Sequence, residues 1–135
     1  MPQYSPTFQV ICSDVRKGLS RLNDSSVDTV VTSPPYYGQR DYESDIQIGH
    51  EKTVEGYVDT LVEIFGAVRR VLRPEGTLWL NLGDKYLNGQ LQGLPWRVAL
   101  ALQADGWVLR SDIIWHKPNA MPSAVKNRPT TDHEY

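Results

Sequence analysis

The 135-residue chain reads as an α/β domain organised around a parallel sheet. Three observations carry that reading. Strand-like and helix-like stretches alternate between turn signals, the pattern of successive β-α units. From Thr53 to Leu72 the apolar residues Val54, Tyr57, Val58, Leu61, Val62, Phe65, Val68, Val71 and Leu72 recur at three- and four-residue steps, the spacing of one helix face. Val27-Asp28-Thr29-Val30-Val31-Thr32 is a β-branched run suited to a largely buried strand.

Taken in order, Phe8–Cys12 is a short apolar run that predicts a first strand, ending at Ser13-Asp14. Cys12 within it is expected to be a buried structural thiol. The Asp14 carboxylate suits the N-cap of a short helix over Val15–Leu22, because it can accept from an orphan N–H. Asn23-Asp24-Ser25-Ser26 turns the chain into the Val27–Thr32 strand. Residues 33 to about 52 are irregular, since Pro34-Pro35 forbids a regular start. In the long helix that follows, Glu55 and Asp59 near the start and Arg69, Arg70 and Arg73 at the end match the helix dipole. Arg73-Pro74-Glu75-Gly76 stops it. Thr77–Leu82 is the next strand, ending at Gly83-Asp84. Pro95 suits the first turn of a helix to about Ala104, and Asp105-Gly106 leads into a further strand, Trp107–Trp115. Lys117–Arg128 is a proline-broken loop, and Thr131–Tyr135 has the look of another strand beginning. Trp79, Trp96, Trp107 and Trp115 lie in these strand and helix patterns and are expected in the core. A parallel sheet of this kind is covered on both faces and binds ligands beyond the carboxyl ends of its strands. Asp14, Ser33 and Asp84 fall at three such ends.

Composition narrows the function. Lys and Arg number 14 against 16 Asp and Glu, a net charge of −2, which argues against a protein that coats a polyanion through a basic surplus. A nucleic-acid enzyme that uses a few placed cations stays open. The single cysteine excludes an internal disulfide framework and a Cys-rich zinc site. His50, His116 and His133 have no spacing with carboxylates or cysteine that suggests a metal site, and none is expected. No apolar run nears the ~18 residues of a membrane span, and MPQYSPTFQV lacks a basic-then-apolar signal pattern. A cytoplasmic chain is therefore expected.

The stretch with chemical content is Thr32-Ser33-Pro34-Pro35-Tyr36-Tyr37, directly after a strand. Two prolines stiffen the backbone and remove two N–H donors. Ser33 and the proline carbonyls thus present acceptors beside the flat face of Tyr36. That arrangement suits a planar group bearing an exocyclic NH₂. A proline-capped strand end with a packed tyrosine, or a Pro-Pro-Tyr ligand for a partner domain, is the plainer alternative; the position after a strand favours a site.

Ser33-Pro34-Pro35-Tyr36 resembles the catalytic tetrapeptide [D/N/S]-P-P-[Y/F/W] of the amino-group DNA methyltransferases. The likeness continues through Gly18-Leu19, Asp24–Asp28, Tyr37–Tyr42, Val71–Asp84, Pro95–Ala99, Ile113–Pro118, Arg128-Pro129 and His133-Glu134-Tyr135, nearly the whole chain. Their order is that of the β-type permuted group, in which the catalytic region precedes the cofactor-binding region. The resemblance implies a Rossmann-like methyltransferase fold with a parallel-type sheet flanked by helices, here incomplete.

It also implies a mechanism. A base in double-stranded DNA would be flipped out, because its amine is otherwise unreachable, and would stack on Tyr36. Ser33 and the Pro34 carbonyl would accept the amine hydrogens, freeing the nitrogen lone pair to attack the methyl of S-adenosylmethionine without a covalent enzyme intermediate. Catalytic roles thus fall to Ser33, Pro34, Pro35 and Tyr36. The cofactor is assigned to Asp14, Ser33 and Asp84, although Asp14 equally suits a helix cap and Asp84 a turn. DNA contacts are assigned to Tyr37, Arg40, Lys117, Lys126 and Arg128, with solvated surface charge as the alternative for the basic tail. Serine as first letter favours cytosine N4 over adenine N6. A restriction-modification setting goes with this family.

Two expected pieces do not occur in these residues: a glycine loop like [D/N]-P-F-x-G-x-G-T, where close backbone approach to the cofactor demands glycine, and a recognisable target-recognition region. Residues 1–135 are therefore expected to be the catalytic portion of a longer or split enzyme, inactive alone, completed by a C-terminal half or complementing chain. Exposed sheet edges would favour homo-oligomers. A catalytically silent fragment or interaction subunit is the alternative function, and methylation of a protein or RNA amide a lesser one.

Overall fold

The computed structural model describes residues 7–135. Helix α1 spans Val15–Leu19, and Asp14 caps it by accepting from the Arg16 amide at 3.0 Å. Strand β1 is Val27–Thr32, and helix α2 is Val54–Val71, with the Thr53 hydroxyl accepting from the Gly56 amide at 3.0 Å. Strand β2, Leu72–Leu80, follows α2 without a loop. A two-residue ribbon of β3 (Tyr86–Leu87) and β4 (Gln90–Leu91) precedes helix α3, Leu94–Ala104, which has proline in its first turn. A second ribbon joins β5 (Trp115–His116) to β6 (His133–Glu134).

The apolar spacing of residues 53–72 works as the sequence predicts. Val54, Tyr57, Val58, Leu61, Phe65, Val68 and Val71 form the buried face of α2, joined by Ile64. Against them pack Leu94, Val98 and Leu102 of α3, one turn apart, and the inward β residues Val30, Leu78 and Leu80. This layer is the core. The carboxyl end of α2 is held by the 23–26 turn, where the Ser25 and Ser26 amides donate to the Arg70 and Val71 carbonyls at 3.1 and 2.9 Å. Arg70 returns the contact, donating to the Leu19 and Leu22 carbonyls.

Strands β1 and β2 are parallel and neighbours, in register from Thr29–Thr77 to Thr32–Leu80, with an irregularity after the Val27–Leu72 pair. Their carboxyl ends therefore share one edge. The helices lie on one face only. The opposite face carries the Thr29–Thr77 hydroxyl pair, 2.9 Å apart, with Val31 78% and Trp79 53% exposed.

Several sequence expectations are corrected here. Phe8–Cys12 is not a strand: it has no ladder partner among the described residues, Phe8 is 92% exposed, and Cys12 is an exposed thiol rather than a buried one. Trp107–Trp115 is likewise irregular up to β5, for the same reason: extended backbone becomes strand only where another strand accepts its N–H and C=O groups. The Val27–Thr32 strand is half-exposed rather than largely buried, and the sheet is covered on one side. Of the four tryptophans only Trp107 packs against the core, while Trp79, Trp96 and Trp115 are exposed. Strand β2 also starts earlier than Thr77 and ends at Leu80. No helix among the described residues is long and apolar enough to cross a membrane.

Candidate active site

The β1–β2 ladder places the site. Thr32 is the last residue of β1, and its carbonyl accepts from the Asn81 amide at 2.9 Å, so Ser33 and Asn81 leave the sheet side by side. The chain from Ser33 then bends through Pro34 and Pro35 into a turn. Tyr57, almost wholly buried on α2, donates its hydroxyl to the Pro35 carbonyl at 3.0 Å. The Pro34 carbonyl accepts no hydrogen bond among the described residues, so of the two it is the one left free. Gly49, at φ +96°, lets the returning loop pass the Tyr36 carbonyl; a Cβ there would stand 2.7 Å from that oxygen. The Gly38 amide donates to the Gly49 carbonyl at 2.6 Å.

These constraints form an open cleft of about 380 Å³ lined by Ser33, Pro34, Pro35, Tyr36, Gln39, Arg40 and Tyr42. The whole tetrapeptide singled out in the sequence, together with Arg40, lies on it.

Tyr36 is fixed at both ends. Its ring lies against Gly83, where a Cβ would approach the ring carbons to 2.7 and 3.0 Å. Its hydroxyl donates to Glu134 Oε2 at 2.9 Å and lies 2.8 Å from Asn81 Nδ2 and 3.1 Å from Ser33 Oγ. Asn81 Nδ2 also donates to Glu134 Oε2 at 3.1 Å, and Lys117 Nζ pairs with Oε1. Glu134 reaches this point because Leu82 and Tyr135 exchange two backbone hydrogen bonds, at 2.7 and 3.1 Å. Burial, and to a lesser degree the Glu134 carboxylate, hold the Tyr36 hydroxyl above the ordinary tyrosine value against the lowering effect of Ser33. For Glu134, burial acts to raise the pKa, but the hydrogen bonds from Lys117, Asn81 and Tyr36 outweigh it and leave the carboxyl below its usual range.

The remaining sequence candidates are scattered. Asp14 caps α1 and lies 3.9 Å from the Arg16 guanidinium. Asp84 Oδ1 accepts from the Lys85 and Leu94 amides at 2.7 and 3.1 Å, which ties the loop to the start of α3; Oδ2 has no protein partner among the described residues. Tyr37 packs on Tyr57, ring centres 5.5 Å apart, with Lys85 Nζ 5.7 Å from its own ring centre. Lys117 belongs to the Glu134 cluster, and Arg128 stacks over the Tyr86 ring at 3.3 Å. Lys126 is exposed. Among the described residues no group of three or more His, Cys, Asp or Glu side chains converges as for a metal ion. Sequence reading missed Asn81, Gly83 and Glu134 as parts of the site. Tyr36 and Glu134 lie 98 positions apart, a separation no local spacing can signal.

A family model described as DNA methylase, covering N6 and N4 enzymes, matches residues 27–135. The type II methyltransferase M.SmaI of Serratia marcescens is 43% identical over 94% of this chain and 53% of its own length. M.Cfr9I of Citrobacter freundii is 45% identical, over 90% of this chain and 50% of its own. The chain thus spans about half the length of the curated relatives it matches. Among solved structures, the cytosine-N4-specific PvuII DNA methyltransferase superposes with a TM-score of 0.69 at 25% identity, covering 86% of this chain and 43% of that one. TTHA0409 of Thermus thermophilus, described as a candidate DNA modification methylase and solved with S-adenosyl-L-methionine, gives 0.68 at 29% identity, over 90% and 48%. The two-stranded parallel sheet and its helices are accordingly part of a Rossmann-like methyltransferase fold.

Proposed function

Because the chain belongs to the N6/N4 DNA methylase family, we propose that it carries the base-side portion of a site that methylates an exocyclic amine of DNA. The observation that supports this best is the cleft itself. Ser33 and Pro34 both line it and bring two acceptors, Ser33 Oγ and the Pro34 carbonyl, beside the Tyr36 ring, while Tyr57 occupies the Pro35 carbonyl. An exocyclic amine offers two N–H groups, and a flipped base offers a face for stacking.

S-adenosylmethionine is the methyl donor of this reading; when bound it supplies an electrophilic methyl on a sulfonium, whose S–C bond breaks as the N–C bond forms and leaves a thioether. Of the residues assigned to it, Ser33 fits: it stands on the shared carboxyl edge of β1 and β2 and lines the cleft. Asp84 lines a second pocket, beside Tyr86, Trp96 and Glu134, with Oδ1 tied to the start of α3. Asp14 fits less well, since its carboxylate is engaged by α1 and Arg16. The rest of the chemistry is positioning. Ser33 and the Pro34 carbonyl draw on the amine hydrogens and localise the nitrogen lone pair, and as the amine is methylated it gives up one proton to water in the open cleft. Arg40 in the cleft wall and the exposed Lys126 suit phosphate contacts; Lys117, Arg128 and Tyr37 each have a protein partner and suit them less.

We take cytosine N4 as the target, on the serine that opens the tetrapeptide and the cytosine-N4 specificity of the PvuII enzyme. The glycine loop is not among these 135 residues, so the test supplies the cofactor-loop half of a relative in trans and measures labelled methyl transfer to duplex DNA. Nucleoside mass analysis is expected to show N4-methylcytosine. N6-methyladenine would overturn the choice of base, and a folded, cofactor-bound complex that transfers nothing would overturn the reading. Calorimetric titration of S-adenosylmethionine into the chain alone is expected to show no micromolar binding.

A further inference from the structure

We propose that Glu134 sets the direction of the hydrogen bonds running through Tyr36 to Ser33, and so turns the Ser33 hydroxyl into an acceptor facing the cleft. Glu134 is then a positioning residue, acting on substrate through two hydroxyls. The inference rests on the function proposed above for the cleft.

The argument is a count of protons. An ionised carboxylate only accepts. Glu134 carries Lys117 on one oxygen and Asn81 on the other, a setting that favours the ionised form. Tyr36 has a single hydroxyl proton, and at 2.9 Å it goes to Glu134 Oε2. The phenol oxygen then has only lone pairs to offer. Asn81 Nδ2, at 2.8 Å, donates to it. Ser33 Oγ, at 3.1 Å, can make that contact only as the donor. With its one proton committed to Tyr36, Ser33 keeps its lone pairs for the cleft.

This matters because serine, unlike aspartate, has no fixed polarity. A free hydroxyl rotates and presents its proton to a neighbour as readily as a lone pair. An amine that brings two N–H donors needs two acceptors. The Pro34 carbonyl is one by nature, and Ser33 becomes the other only while the chain of bonds runs towards Glu134. Replacing Glu134 with glutamine leaves its carbonyl with the Lys117 ammonium, which can only donate, and puts the NH₂ group opposite Tyr36. The Tyr36 proton can then turn to Ser33, and the Ser33 proton into the cleft, where it opposes the incoming amine.

The test compares wild type, Glu134→Gln, Tyr36→Phe and the double variant in the complemented methyl-transfer assay. Glu134→Gln is expected to lower kcat about tenfold, the effect of one misdirected hydrogen bond, with KM for DNA and cofactor within about twofold. Tyr36→Phe keeps the ring but breaks the relay, and the double variant is expected to be no slower than the worse single one. A second readout needs no turnover. In protein labelled at tyrosine Cζ, the resonance missing from Tyr36→Phe identifies Tyr36, and it is expected to shift in Glu134→Gln. Unchanged kcat in Glu134→Gln, fully additive losses, or an unmoved Tyr36 signal would each overturn the proposal. Wild type without transfer would sink the function proposed above, while the Cζ signal still decides whether Glu134 holds the Tyr36 proton.

Discussion

Tyr57→Phe isolates a single bond between the buried face of α2 and the Ser33–Tyr36 loop. The phenylalanine ring keeps the packing of a residue that is 1% exposed, so nothing but the hydroxyl at 3.0 Å from the Pro35 carbonyl is lost. A hydrogen bond of this kind contributes about 1 kcal/mol net, rising towards 3 if the abandoned carbonyl stays dry. Pro35 is only half-buried and water can reach it, so we expect ~1–1.5 kcal/mol. With a urea slope of roughly 1–3 kcal/mol per molar, the unfolding midpoint should fall by about 0.5 M. Tyr57→Ala, which also opens a cavity, should cost ~3–5 kcal/mol. Alkaline pH provides a second check. Burial first, then the Glu51 carboxylate and Tyr36, hold the Tyr57 pKa above that of an ordinary tyrosine. A folded value above the unfolded ~10 means that its contribution is complete below pH ~10 and is lost as pH climbs beyond it. The phenylalanine variant has no such loss, so the gap between it and wild type should narrow above pH ~10. An unchanged urea midpoint at pH ~7 would refute the bond, and a gap constant through pH ~11 would refute the raised Tyr57 pKa that burial produces.

Four further outcomes are expected. Thr53→Ala removes the cap of α2 and should cost about 1 kcal/mol in urea titration. Gly49→Ala forces a side chain into φ +96° against the Tyr36 carbonyl; about 1–3 kcal/mol of strain is expected, read from the same titration. Gly83→Ala should push the Tyr36 ring off its hydroxyl partners, lowering methyl transfer at least tenfold while the thermal midpoint moves little, because the ring is partly exposed and can swing. Glu134 titrates below its usual 4.5, so its stabilising effect is present above that pH and disappears as pH falls through the lowered value; Glu134→Gln should flatten the acid side of the stability profile.

Local pattern alone determined a good part of this protein. The period of α2, the Asp14 cap and the Glu55 charge at helix starts, Pro95 in the first turn of α3 and the β-branched run of β1 all depend on neighbours within a turn or two. They appear in the structure within a few residues of where the sequence puts them. The tetrapeptide at the end of β1 was legible for the same reason, since its chemistry is contained in four adjacent residues. Whether an apolar stretch becomes a strand is different. Phe8–Cys12 and Trp107–Ile114 have strand-like composition but no ladder partner among the described residues, and that is decided by what lies beside them in space. Cys12 and the exposed tryptophans follow from the same circumstance. The site was divided in the same way. Ser33, Pro34 and Tyr36 could be read from sequence, but the carboxylate that fixes Tyr36 arrives from 98 positions away, carried by the backbone pairing of Tyr135 with Leu82. Hydrogen-bond direction is a property of such assembled groups, and only the tertiary structure brings them together.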